Sequence, residues 1–106
     1  MARITSQSTV STTAADPTEV YYDGGSIRAI GLSNTDASTA SFVKVSVQVN
    51  TVKAVSNLHT IWSVEIPAKG SALFELNNST ITLNPDQKIL AIASGVACSI
   101  FLIVDD

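Results

Sequence analysis

The stretch SFVKVSVQVN, residues 41–50, alternates without a break. Val43, Val45, Val47 and Val49 fall on one side of an extended chain. Phe42, Lys44, Ser46, Gln48 and Asn50 fall on the other. A period of two belongs to a strand with one buried face and one wetter face. The valine row is therefore expected in a core. Phe42 stands on the polar side, where a large aromatic is a candidate interface anchor.

The same grammar recurs before and after this strand. EVYY (19–22), SIRAIGLSN (26–34), LHTIWSVEI (58–66), SALFEL (71–76), TITL (80–83), KILAIA (88–93) and CSIFLIV (98–104) all read as strands. Turn material separates them: Asp23-Gly24-Gly25, the polar run 34–40, the connection 51–57, Pro67-Ala68-Lys69-Gly70, Asn77-Asn78, Asn84-Pro85-Asp86 and Ser94-Gly95. Glycine there supplies positive φ and proline cannot continue a ladder. VEIPAKGSALFEL (64–76) reads as a strand–turn–strand unit of this kind. Alternation puts Ile30 and Leu32 on one face and Ile27 and Ala29 on the other. It also puts Leu58, Thr60, Trp62, Val64 and Ile66 on one face. No stretch keeps a helical period. About eight short strands with regular turns predict an all-β domain, a single antiparallel β-sandwich or jelly roll.

The chain has 106 residues, enough for one domain with one modest core. Hydrophobic residues make up 45%, so a core can offset the entropy of folding. Charged residues make up only 14%, below the quarter or so of an average domain. Much of the surface is therefore Ser, Thr, Asn and Ala, which suits packing against other subunits and also suits an ordinary extracellular module. A net charge of −3, with Arg3, Arg28, Lys44, Lys53, Lys69 and Lys88 scattered, argues against nucleic acid, which needs a basic stripe. The most apolar run, 89–104, is broken by Ser94-Gly95 and is shorter than the ~20 residues of a spanning helix, so no membrane partner is expected. The first residues lack the apolar centre of a signal peptide. Cys98 stands alone, which excludes an internal disulfide and fits a reducing cytoplasm.

Residues 1–18 are Ser/Thr-rich, with Ile4 and Val10 as the large apolar side chains. They read as an N-terminal arm outside the core, with the sandwich over 19–106. Two readings of the arm stand. One is a frayed terminus. The other is an extended segment that orders on a neighbouring subunit, with Arg3, Ile4 and Val10 as its anchors.

No chemistry assembles from the residues. His59 has no nucleophile or ligand set around it in the sequence, and Cys98 has no electropositive neighbour. The Asp23 and Asp36 turns lack the spacing of a calcium loop. Glu65 and Glu75 flank the Pro-Gly turn but read as solvated face residues rather than a glycosidase pair. Trp62 shares its face with apolar residues and reads as core. Neither a catalytic residue, a cofactor nor a metal is expected.

Read in succession, SIRAIGLSNTDAST, ASFVKVSVQV, VEIPAKGSALFEL, ITLNPDQKILAIAS and VACSIFLIVDD resemble small β-sandwich virion proteins of tailed bacteriophages. These are head decoration (cement) proteins and neck or tail accessory proteins. The resemblance covers 19–106 and rests on turn-and-strand order; where the pattern often carries Gly-Asp before the seventh strand, this chain has Asp86-Gln87. It implies a structural protein of the virion, made in the host cytoplasm and working without catalysis. The implied partners are a major capsid protein or other virion proteins, with homo-oligomers in a symmetric assembly. A capsid decoration role is the expectation and a neck or tail accessory role the alternative. A carbohydrate-binding or adhesion module, using Trp62 or Tyr21-Tyr22 as an exposed sugar platform, is a third reading. An enzyme is a fourth, for which no residues combine.

Overall fold

A computed structural model of the chain describes residues 2–4, 8–13, 17–20, 26–48, 58–76, 79–83 and 87–105. Nine strands run through them: β1 (Ala2–Ile4), β2 (Ser8–Thr9), β3 (Thr18–Val20), β4 (Ser26–Ser33), β5 (Ser41–Gln48), β6 (Leu58–Ile66), β7 (Ser71–Glu75), β8 (Lys88–Ser94) and β9 (Ser99–Asp105). One sheet has the order β1-β9-β4-β7, with β2 also on β9; the other has the order β3-β8-β5-β6. Every named pair is antiparallel. The chain is an all-β sandwich, as the alternation predicts.

The pairing is nested. β1 and β2 both lie on β9, so they are two pieces of one first strand. First then pairs with last, β3 with β8, β4 with β7, and β5 with β6. A long hairpin wrapped over on itself in this way is the jelly-roll connection. The segment TITL does not form a strand of its own; Ile81 makes a single antiparallel bridge to Ile27.

The core lies between the sheets. Ile27, Ile30, Leu32, Ile100, Leu102 and Val104 come from one sheet. Val43, Val45, Ile66, Ile89, Ala91 and Ala93 come from the other. Each fully buried Ile, Leu or Val contributes about 1.5–3 kcal/mol relative to exposure. Val43 and Val45 are buried as expected and Val47 packs against the core. The opposite side of β5 is wet only at Phe42 and Lys44, because Ser46 and Gln48 are buried.

Three one-residue shifts correct the faces read from alternation, since each extra residue moves everything beyond it to the other side. In β4 the ladder to β9 skips Arg28, which puts Ile27 in the core with Ile30 and Leu32 and leaves Ala29 on the outer face. In β6 the ladder to β5 skips Ile61, so Thr60 and Leu58 pair with Ser46 and Gln48 instead of following Trp62 inward. The third shift lies between β1 and β2: Ile4 pairs with Ile103, yet Thr9 pairs with Ser99.

That third shift decides the fate of the N-terminal segment. Ile4 and Val10 have the same parity, yet Ile4 is 63% exposed and Val10 is 0% exposed, inside the core. The Val10 amide donates to Cys98 O at 2.7 Å, and Ser11 O accepts from the Ala93 amide at 2.8 Å. Pro17 is also buried. The described part of residues 1–18 is therefore not an arm outside the core: Ala2–Ile4 and Ser8–Thr9 pair with β9, and Val10 lies inside the core.

The unit at 64–76 also differs from a simple hairpin. β6 and β7 belong to different sheets, so Pro67–Gly70 is a corner across the sandwich. The Gly70 amide donates to Pro67 O at 2.8 Å and Lys69 has φ 60°, the pattern of a type II turn with a non-glycine residue at its third position. Trp62 and Phe74 stack behind this corner, their ring centres 5.3 Å apart. The turns expected at Asp23-Gly24-Gly25, Asn77-Asn78 and Asn84-Pro85-Asp86 lie outside the described residues. So do the connection 51–57, Tyr21, Tyr22, Val49 and Asn50.

Candidate docking face

The described titratable groups do not converge. His59 is exposed on β6, and among the described residues no three His, Cys, Asp or Glu side chains are placed to share a metal ion. Cys98 is buried in the core, where desolvation pushes its thiol up. Glu65 pairs beside exposed Phe42 on the outer face of one sheet, and Glu75 pairs beside Ala29 on the outer face of the other. The two carboxylates thus stand on opposite sides of the molecule. No membrane-spanning helix is present among the described residues.

What the fold does assemble is an apolar outer face on the β1-β9-β4-β7 sheet. Cross-strand partners share a face, so the registers give its rows directly. Ile4, Ile103, Ala29 and Glu75 form one row across all four strands. Phe101, Gly31 and Leu73 form the next. Ile4 is 63% and Leu73 49% exposed, while Phe101 and Ile103 are half-buried. At ~4.8 Å per strand this band is about 14 Å wide, a patch of a few hundred Å² at most.

Gly31 shapes the middle of the band. A Cβ added there would overlap the far end of the Phe101 ring, so the ring reaches over a bare stretch of backbone. Glycine in a central strand marks such a close approach. The borders differ in character. A row of Thr9, Ser99, Ser33 and Ser71 bounds one side. The Arg28–Asp105 ion pair bounds the other. Beside it a groove of about 520 Å³ runs between Ile103, Ala29, Leu73, Glu75 and the 79–80 segment.

Among the described residues the opposite sheet has one exposed large apolar side chain, against Ile4 and Leu73 on this one. Phe42 is 44% exposed between Glu65 and Ser94, with Lys44 and half-buried Ile92 in the next row. Of the four candidate interface residues, Ile4 and Phe42 are therefore exposed, on opposite faces. Arg3 is half-buried, and Val10 is a core residue. Sequence reading missed Leu73, Phe101 and Ile103, which pairing with Ala29 and Gly31 brings onto one outer face. Gly31 within an apolar strand was the available signal.

No family model, curated protein or solved structure matches the chain.

Proposed function

We propose that this chain is a structural protein of a bacteriophage virion, a capsid decoration (cement) subunit that stabilises the head shell through contacts between subunits. The observation that carries the reading is the two-row apolar band from Ile4 to Leu73 on a rigid, charge-poor jelly roll. A patch of this size is too small for a lasting pair, since stable interfaces bury about 800 Å² per partner. It suits many weak contacts made at once in a lattice, where occupancy adds stability by mass action. Jelly rolls serve in viral capsid domains and also in lectins, so the fold alone does not choose. The sugar-platform alternative loses Trp62, which stacks on Phe74 against the core. A neck or tail position in the same particle uses the same face.

The test is occupancy of particles. Leu73→Asp combined with Ile4→Asp changes exposed residues only, so melting stays near that of the parent. Co-sedimentation with particles lacking the protein is expected to fall by tenfold or more, the effect of losing ~1.4 kcal/mol or more. Undiminished co-sedimentation, with fold intact, overturns the reading.

A further inference from the structure

We infer that what docks on this face is a protein surface that places a lysine or arginine side chain in the groove beside Glu75. The inference rests on the docking reading above and adds the chemistry of the partner. Glu75 stands in the apolar row itself, in register with Ala29, Ile103 and Ile4. It is exposed, and among the described residues it makes no ion pair. Whatever covers the row therefore takes water from this carboxylate. A carboxylate that loses water without gaining a partner opposes binding, so a purely apolar occupant is disfavoured.

The nearest cation of the chain is already engaged. Arg28 lines the groove, but its guanidinium donates to the Asp105 carboxylate. Those two charges cancel, and the groove keeps the charge of Glu75. Main-chain bonds hold its sides: the Leu76 amide donates to Arg28 O at 3.0 Å, and Ile27 and Ile81 exchange bonds of 2.7 and 2.9 Å. Leu73, Leu76 and Ile103 supply apolar walls, and Ser79 and Thr80 supply hydroxyls. A basic side chain matches this combination. Its methylenes lie along apolar surface while its head reaches the carboxylate. The groove, about 520 Å³, admits one such side chain.

Glu75→Gln gives the two kinds of partner opposite signs. The substitution keeps the size of the side chain and removes its charge. Against a basic partner it loses the ion pair; against an apolar one it removes the cost of drying a carboxylate. Co-sedimentation with particles lacking the protein is expected to fall about tenfold for Glu75→Gln, and further for Glu75→Lys. Added salt is expected to weaken wild type more than Glu75→Gln, because screening acts on the pair. Melting curves check that both variants are folded. Glu75→Gln binding as well as wild type or better, while Leu73→Asp with Ile4→Asp still loses binding, overturns the inference and leaves the docking face in place. Binding retained by that double variant removes the docking face itself, and this inference with it.

Discussion

The side-chain amide of Asn34 donates to the carbonyl of Pro67 at 3.3 Å, and to those of Ile66 at 3.1 Å and Thr39 at 2.9 Å. Asn34 is buried, and its own amide donates to Gly70 O at 2.9 Å. One side chain thus ties the β4–β5 loop to the corner between β6 and β7. Asn34→Ala removes the donor to one buried and two part-buried carbonyls, which costs about 1–3 kcal/mol. Asn34→Leu, close in size but also without a donor, is expected to match it. Urea unfolding measures both, and a midpoint equal to wild type for either shows that water replaces the amide freely.

Val10 and Ile4 are expected to respond oppositely. Val10→Asp places a carboxylate in the core and is expected to abolish cooperative folding, because an unpaired buried charge exceeds a total stability of ~5–15 kcal/mol or consumes most of it. Ile4→Asp is expected to shift stability by no more than about 0.5 kcal/mol, the range of ordinary surface changes. Circular dichroism melts of the two variants decide the matter. A folded, cooperatively melting Val10→Asp protein returns residues 1–18 to the status of an arm.

The valine strand makes a matched comparison. Val45→Asp is expected to unfold the protein while Lys44→Asp, one residue away, melts close to wild type. Equal tolerance at both positions contradicts the assigned faces of β5.

Asp36 gives the acid response a specific source. Its carboxylate accepts the amides of Ser38 at 2.9 Å and Thr39 at 2.8 Å, which hold it below the ordinary aspartate value. A depressed value means that the folded state binds the proton less readily than the unfolded chain. The stabilisation is therefore complete above the unfolded value, about 4, and is lost as pH falls through the folded value. Asp36→Asn is expected to flatten the acid limb: its urea midpoint changes less than that of wild type between pH 7 and pH 3. Parallel curves for the two proteins place the acid response elsewhere.

Gly31→Ala puts a methyl group where the Phe101 ring lies. Overpacking of this kind typically costs about 1–3 kcal/mol. The double variant Gly31→Ala with Phe101→Leu, with a smaller side chain over the new methyl, is expected to recover part of the loss. Additive losses in the double variant show that the two residues do not interact.

The strands were legible because Val43, Val45 and their like alternate over several residues, and burial enforces that alternation. What alternation does not carry is the position of a single extra residue. Nothing in SIRAIGL marks Arg28 as the residue skipped, and nothing in LHTIWSV marks Ile61; both follow from the register of partners far away in the sequence. The docking band depends on neither: Phe101 and Ile103 alternate with core residues of their own strand, but only the pairing of distant strands brings them onto one face with Leu73. The N-terminal segment was misread for a related reason. Its composition is that of an exposed tail, and its described core residue, Val10, is set by pairing with main chain next to β9. The corner at Pro67–Gly70 was legible as a turn, but whether a turn stays in one sheet or changes sheets is decided by what pairs beyond it.

The nested pairing has a consequence for the order of events during synthesis. Residues 2–10 leave the ribosome before the other described strands, yet their partner is β9, made after the rest of them. β9 also lies between the first strand and β4, so a nascent chain lacking it has a sheet with its middle missing. The sandwich therefore closes only after β9 has left the ribosome. Any chain cut short within β9 leaves Val10 without its enclosure and both neighbouring strands with bare edges, a form prone to aggregate.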